Sequence, residues 1–346
     1  MSVTRLDAKL LEPIFVRHLD AAGVDHESVG HVVASLLQTS LRGVDSHGIQ
    51  LFPHYVRASR AGRINVAPRV RIEYTGNSTV VLDADHAFGH RAGANAIDLA
   101  IEIAQKAGAG IVSVRHSTHF GAAAYFALRA AERGMLGFAF TNADSLVKAF
   151  NARTPVFGTN PICVTAPLEH EGPLCLDMAT SIVSWNKIRG RLGSGEDLPL
   201  DWACDAAGDP TKDAALARSL NAAGGYKGFG LGMIVEVLCG LLARGPIATE
   251  ILPMYGAPIH ARRSISHFLM AIDISRFVDV KLFRSRLQAL VAQIRAMPAT
   301  TDSVMVPGDP EKKAFSERSS TGIPVTQTVF DSLCEIGEDF RQAVCR

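Results

Sequence analysis

A serine and a histidine stand side by side in residues 42–51, RGVDSHGIQL. Neighbouring side chains seldom reach the geometry of a Ser–His nucleophile pair, and the GxSxG turn of many hydrolases is absent, which disfavours a hydrolase. His47 at the start of a helix can still donate a proton to a carbonyl oxygen, with Ser46 bonded to the same oxygen. The structural alternative is that Ser46 caps the helix beside a surface histidine.

A second stretch, VRHSTHFGAAAYF at residues 114–126, joins a predicted strand to a predicted helix. After His119 and Phe120 come Gly121 and three alanines, beginning with Ala122, which leave the start of the helix uncluttered. Such a helix start suits the close approach of a phosphate or a ribose. The alternative is that these small residues only allow tight packing.

Polar residues beside strand-like or apolar runs mark three more stretches: FGTNPICV at 157–164, LDMATSIVSWNKI at 176–188 and GGYKGFGLGM at 224–233. Asp177 at a strand end could hold a ribose hydroxyl, and Lys187 could meet an anion or polarise a carbonyl. Lys227 precedes an apolar helix, where the macrodipole opposes a cation unless an anion is bound. Taken singly, residues of these types more often stabilise turns.

No GxGxxG sequence is present, and the glycine-rich pieces AGAGI and KGFGLGM have the wrong spacing. The sequence therefore disfavours an ordinary Rossmann dinucleotide fold. It leaves open other ways of holding a nucleotide.

The chain has 346 residues, 35 Lys and Arg against 34 Asp and Glu, and six scattered cysteines without a CxxC pair. This length predicts two packed domains, and the balanced charge favours a small-molecule ligand over nucleic acid or a membrane surface. The cysteines indicate reduced, mostly buried thiols and no zinc or other metal site. The longest apolar run, 229–243, is interrupted by Glu236 and is shorter than the ~20 residues a bilayer requires. We therefore expect a soluble, cytoplasmic protein.

Helical and strand patterns alternate along the chain and predict an α/β fold with a mixed sheet. Helices are predicted at 6–22, 25–42, 48–61, 91–107, 121–133, 213–219, 227–243, 279–296 and 327–343. Strands are predicted on both sides of 75–77 and at 110–115, 136–142, 161–168, 174–179 and 266–273. The 227–243 helix is so apolar that we expect it to be buried, and the tail from 297 to pack on the N-terminal helices.

Taken together, RGVDSHG, HFGAA, GTNP, LDMATS, YKGFGL and PGDPE occur in an order that resembles the type 2 malate/L-lactate dehydrogenase family. The resemblance covers nearly the whole chain. It implies a non-Rossmann mixed sheet flanked by helices, at 69–296, and a helical domain formed by both termini, 1–68 with 297–346. It also implies NAD or NADP as cofactor, a homodimer, and hydride transfer between the cofactor and a 2-oxo acid or a related carbonyl or imine.

Residue roles are implied by the same resemblance. His47, as an imidazolium, would protonate the substrate oxygen beside Ser46, with His119 as a second acid/base candidate and Lys187 nearby. A lysine at position 187 is typical of hydroxy-acid members, whereas the imine reductase has an acid there. The residues expected around the dinucleotide are His119, Phe120, Gly121, Ala122, Thr159, Asp177, Met178, Ala179, Lys227 and Gly308 in the 307–313 turn.

Leu51 departs from the family, whose members generally carry an arginine there that can clamp a substrate carboxylate. Our hypothesis is that Lys148, or Arg57 or Arg60 on the third helix, holds the anion instead, or that the substrate has no carboxylate at this point. Two other functions remain open: a reductase of a cyclic imino acid or diketo sugar acid, and a non-catalytic dimeric binding protein of the same fold. The choice between NAD and NADP is also open.

Overall fold

The computed structural model describes residues 3–193, 195–300 and 302–345. Within them the chain forms ten α-helices: α1 Ala8–Asp20, α2 His26–Leu41, α3 Phe52–Arg60, α4 Gly89–Ala107, α5 Ala124–Glu132, α6 Trp185–Arg189, α7 Tyr226–Glu236, α8 Val280–Arg295, α9 Asp309–Thr321 and α10 Gln327–Cys334. The strands in the same residues are β1 Val3–Leu6, β2 Arg71–Tyr74, β3 Thr79–Asp83, β4 Ala109–Ser117, β5 Leu136–Thr141, β6 Val147–Lys148, β7 Pro155–Phe157, β8 Ile162–Ala166, β9 Leu174–Met178, β10 Ala203–Cys204, β11 Ser219–Leu220, β12 Ile265–Ile272 and β13 Ile323–Thr326.

A seven-stranded sheet has the order β2-β3-β4-β12-β5-β8-β9. Only β3 and β4 run parallel; every other neighbouring pair is antiparallel. The central strand β12 pairs Leu269 with Val112 on one side and with Ala139 on the other, and all three side chains are buried. The expected mixed sheet is therefore confirmed, and its middle strand comes late in the sequence.

A second core is built from both ends of the chain. Strand β1 pairs antiparallel with β13, and apolar residues of α1, α2, α3 and α10 form one buried cluster. Asp7 and Asp25 accept backbone N–H groups at the starts of α1 and α2, so each of these helices begins at a side-chain cap. The rings of Phe15 and Phe52 stack at 4.0 Å between centroids in this core. The tail packs on the N-terminal helices, as expected.

The predicted helix at 213–219 is wrong. Residues 214–216 form a turn and Ser219–Leu220 form β11, inside a small sheet of order β10-β11-β6-β7. Leu220 pairs with Val147, and Ala217 and Leu220 are both buried. Burial against neighbouring strands therefore outweighs the helix propensity of the alanines in this stretch.

The apolar helix predicted at 227–243 is present, but the expectation that it is buried is wrong. Helix α7 continues into a π-helical turn at Val237–Leu241, and Leu231, Ile234 and Leu241 are 43%, 57% and 54% exposed. Glu236, which interrupts the apolar run, lies on the buried face together with Val235 and Cys239. Its carboxylate accepts from Asn160 Nδ2 at 2.8 Å and from Asn142 Nδ2 at 3.2 Å.

The C-terminal region differs from expectation in two places. The last helix, predicted to run to 343, ends at Cys334 and is followed by a 3-10 helix at Glu338–Ala343. The turn expected at 307–313 ends at Gly308, whose φ of +96° suits glycine, and α9 begins at Asp309. No described helix is long and apolar enough to cross a membrane. No group of three or more His, Cys, Asp or Glu in the described part of the chain is arranged to hold a metal ion.

Candidate active site

A cleft of about 430 Å³ lies between the loop after α2 and the start of α5. The ends of β8 and β9, helix α6 and Glu311 of α9 complete its wall. It brings together nine of the residues singled out from sequence: Ser46, His47, Gly121, Ala122, Thr159, Asp177, Met178, Ala179 and Lys187. Four separate stretches of sequence thus converge on one cleft.

His47 and His119 form a stacked pair, with ring centroids 5.7 Å apart and an interplanar angle of 17°. Ser46 Oγ lies 2.9 Å from His47 Nδ1. Burial lowers the pKa of His47 to about 4 and lowers that of His119 well below its ordinary value. Both imidazoles are therefore neutral near pH 7, and the expectation that His47 is an imidazolium does not fit this environment. A neutral imidazole is suited to accept a hydroxyl proton.

The hydrogen bonds of His119 define which of its nitrogens carries the proton. Tyr55 Oη lies 2.7 Å from His119 Nδ1, and the backbone N–H of Gly121 donates to the same nitrogen at 3.4 Å. Because a backbone N–H can only donate, Nδ1 is an acceptor and the proton of the neutral ring is on Nε2. Tyr55, which was not singled out from sequence, shares this nitrogen with the N–H of Gly121, so its hydroxyl donates to Nδ1.

The start of α5 is occupied by a carboxylate. Asp177 Oδ2 accepts from the N–H of Ala124 at 2.9 Å, and burial raises the pKa of Asp177 to about 6. Gly121 has a φ of +77°, and a Cβ there would lie 3.0 Å from His90 Nε2, so this loop cannot carry a larger residue without strain. Of the two ligands considered from sequence, a ribose hydroxyl fits beside this carboxylate better than a phosphate.

Helix α6 is tied to the histidine loop, because Asn186 Nδ2 donates to the carbonyl of Ser46 at 2.7 Å. The next residue, Lys187, is exposed at the edge of the cleft with its Nζ 4.9 Å from the centre of the Trp202 ring. On the opposite wall the carbonyl of Thr159 accepts from the N–H of Thr180 at 2.9 Å and from its Oγ1 at 3.0 Å.

Four cofactor residues expected from sequence do not line the cleft, and one of them is His119, which lies behind His47. Phe120 is buried and stacks on His267 at 4.5 Å, so it supports the loop from behind. Gly308 is buried against Cys175, with the position of a Cβ 3.2 Å from the Cys175 nitrogen. Lys227 is exposed at the start of α7, outside the lining of the cleft.

The substrate residues expected from sequence are also elsewhere. Lys148 Nζ donates to the carbonyl of Gly208 at 3.0 Å, and Arg57 pairs with Glu335 at 2.7 Å. Leu51 is 3% exposed in the core formed by both termini. Arg60 ends α3 on the exposed surface. None of these four side chains reaches the cleft in this chain.

Other cleft residues were missed from sequence. Arg42 and Glu311 line it, and both act electrostatically on Asp177. A signal was available for each, since Arg42 opens RGVDSHG and Glu311 ends PGDPE. Tyr55 carried no such signal, because only the folded chain brings α3 against the end of β4.

Comparison with known proteins defines the class. The sequence pattern of the malate/L-lactate dehydrogenase family matches residues 6–334. Malate dehydrogenase of Pyrococcus abyssi is 35% identical over 333 residues, covering 93% of this chain and 91% of that protein. The NAD(+) ureidoglycolate dehydrogenase of Escherichia coli K12 is 30% identical over 331 residues, covering 95% of each. The crystal structure of malate dehydrogenase from Entamoeba histolytica superposes with a TM-score of 0.92 at 28% identity, covering 98% of this chain and 99% of that one.

Fold and cleft therefore define an NAD(P)-dependent oxidoreductase without a Rossmann domain. The chain belongs to the malate/L-lactate dehydrogenase family.

Proposed function

We propose that this protein transfers hydride between NAD or NADP and a 2-hydroxy acid or its 2-oxo acid, with the His47–His119 pair moving the proton. The observation that carries the proposal is the neutral, stacked pair, held by Ser46 on one side and Tyr55 on the other, with His47 at the wall of the cleft and His119 behind it. In the oxidation direction a neutral histidine takes the hydroxyl proton. In reduction the same histidine first takes up a proton from solvent and then gives it to the substrate oxygen as hydride is transferred.

The cleft fits a nicotinamide cofactor. The small residues Gly121 and Ala122 leave the start of α5 open, and Asp177 offers its Oδ1, which accepts no hydrogen bond from the described residues. We assign Asp177 to a ribose hydroxyl and Thr159, Met178 and Ala179 to the surrounding wall. A bound nicotinamide supplies hydride in reduction and accepts it in oxidation.

We propose further that residues 1–68 with 297–346 and residues 69–296 act as two domains, since each has its own main core. We also propose a homodimer located in the cytoplasm. The apolar face of α7 supports a dimer, because a contiguous exposed surface of this kind marks a contact with another protein. Six cysteines without a disulfide fit a reducing compartment.

A substrate screen tests the proposed activity. Oxidation of NADH and NADPH is followed with 2-oxo acids, diketo sugar acids and cyclic imino acids, and we expect turnover of at least one 2-oxo acid. Turnover of cyclic imino acids alone would instead identify the protein as an imine reductase. Thermal stabilisation by NADH or NADPH without turnover of any compound would assign a binding protein.

Replacement of His47 tests its role. Positioned acid/base catalysis typically contributes ~10²- to 10⁴-fold to a rate, so His47→Ala should lose kcat on that scale. Its Kd for the cofactor, measured by fluorescence titration, should stay close to that of the wild-type protein. A loss of less than about tenfold would transfer the proton-donor role to His119.

A further inference from the structure

Behind the histidine pair lies a second cavity, lined by His119, Tyr55, Arg63 and Arg263 among others. His119 lies between this cavity and His47, whose ring faces the cleft. The space is small, about 10 Å³, which is the room that a single water molecule or a single carboxylate oxygen requires. Any group held there is in contact with the proton-transfer residues.

The walls of this cavity carry more positive than negative charge. Arg63 and Arg263 are 2% and 5% exposed, and the only carboxylate among the described residues that pairs with either is Asp144, which pairs with Arg263 Nη2. Within the described residues, Arg63 donates only to backbone carbonyls, those of Met254 at 3.0 Å, Pro258 at 2.8 Å and Ala257 at 3.4 Å. Two buried guanidinium groups are thus accompanied by a single paired carboxylate, that of Asp144. An unbalanced buried charge is costly unless an anion compensates it.

Two N–H groups in this cluster also lack acceptors. Arg63 Nε is buried and has no hydrogen-bond partner in the described chain. Arg263 uses Nε for the carbonyl of Leu252 at 2.7 Å and Nη2 for Asp144, and no described residue accepts from its Nη1. Buried N–H groups are nearly always paired, so Arg63 Nε indicates a missing acceptor, and Arg263 Nη1 is available to bind the same group.

The other cations near the pair are less suitable. Arg42 lies in the cleft near two carboxylates, Asp177 and Glu311, and Lys187 is exposed over Trp202. Lys148 and Arg57 are bonded elsewhere, to Gly208 and Glu335.

We propose that Arg263, assisted by Arg63, binds the substrate carboxylate through an oxygen placed in the cavity beside His119. The inference rests on the proposed hydride-transfer function and names where its substrate is anchored. A 2-oxo acid held in this way has its carbonyl one bond from the carboxylate, within reach of the histidine pair. Arg263 lies just before the start of β12, far in sequence from Leu51.

Oxamate, an unreactive carboxylate analogue of pyruvate, is the probe for this site. Its Kd is measured calorimetrically on protein saturated with NADH or NADPH, for the wild type and for Arg263→Gln. Loss of a charge-assisted hydrogen bond should weaken oxamate about 10- to 100-fold, while the Kd of the cofactor stays unchanged. For any 2-oxo acid that is turned over, KM should rise on the same scale, and KM for its uncharged methyl ester should not.

Two variants separate this effect from a folding defect. Asp144→Asn with Arg263→Gln leaves neither partner of the pair as a lone buried charge and should weaken oxamate to the same extent. Arg91→Gln is the matched control, because Arg91 is also largely buried and paired, with Asp25 and Glu27, outside both cavities. It should bind oxamate as the wild type does.

Unchanged oxamate affinity in both Arg263 variants would overturn the proposal and leave the cavity to a water molecule. The wild-type protein gives a second measurement, since oxamate should bind at least about tenfold more tightly than its uncharged ethyl ester. Equal affinities, or no binding of oxamate, would also contradict the site. Because oxamate binding needs no hydride transfer, these outcomes are distinct from a failure of the substrate screen.

Discussion

At the scale of single residues, the two histidines are distinguished by their partners. His47 has a serine hydroxyl that can donate or accept, so its Nδ1 can change role during proton transfer. His119 has a tyrosine and a backbone N–H on Nδ1, which keep one tautomer. The adjacent Ser46 and His47 were found from sequence, because they are neighbours in one motif. Their pairing with His119 and Tyr55 was not, since it depends on how α3 meets the end of β4.

Tyr55→Phe removes the hydroxyl that holds His119. We expect kcat to fall about five- to tenfold, the effect of losing one hydrogen bond of ordinary strength. The kcat pH profile should also change, because a hydroxyl that donates to Nδ1 favours the neutral ring and its loss raises the pKa of His119. KM for the cofactor should not change. Tyr255→Phe is the matched control, since its ring packs on His54 but its hydroxyl is bonded to neither histidine of the pair. Equal kcat values and profiles for the two variants would show that Tyr55 has no positioning role.

At the scale of secondary-structure elements, the sequence pattern correctly predicted those elements that local interactions stabilise. The helical hairpin α1–α2 follows from apolar spacing and two aspartate caps, and the β2–β3 hairpin from alternation around Gly76. Helix α9 was missed, because its sequence DPEKKAFSERSST has no apolar stripe and none of its residues is buried. The helix predicted at 213–219 failed for the opposite reason, since strand pairing that involves distant residues overrode a local propensity.

The exposed apolar face of α7 gives a prediction about assembly. Ile234→Glu places a charge on this face, and we expect the homodimer to dissociate, because an unpaired charge buried in an interface is costly. Sedimentation velocity at several protein concentrations measures the change.

Leu10→Glu is the control for assembly, because Leu10 is 46% exposed on α1, outside the α7 face. It should leave the sedimentation coefficient unchanged. A wild-type protein that sediments as a monomer, or a dimer unaffected by Ile234→Glu, would contradict the proposed interface.

At the scale of the whole molecule, an unusual number of histidines is held neutral. Besides the pKa values of His47 and His119, burial lowers the pKa of His54 to about 4 and that of His90 and His267 to about 3. The unfolded chain binds protons on these groups below the ordinary pKa of 6.5, whereas the folded chain does not. Their contribution to stability is therefore complete above pH 6.5 and is lost progressively as the pH falls towards about 3.

We expect the free energy of unfolding, from urea titrations, to decrease steeply between pH 6.5 and pH 5. Each such histidine contributes up to ~1.4 kcal/mol per pH unit. His90→Leu should reduce this slope by up to ~1.4 kcal/mol per pH unit, since neither ring nitrogen of His90 is hydrogen-bonded to a described residue. His170→Ala, at a side chain that is 75% exposed, should leave the slope as it is. An identical slope in wild type and His90→Leu would contradict this account.

The pairing of β1 with β13 also sets the order in which the protein can mature on the ribosome. Residues 8–60 leave the exit tunnel early, but the strand and helices that complete their core, from Ile323 to Ala343, are made last. The sheet can fold before these last residues cover the apolar faces of α1 and α2. His47 lies on the loop after α2, so we expect it to reach its position against His119 only after these last residues have been made. Completion of the terminal core and assembly of the histidine pair would then occur together.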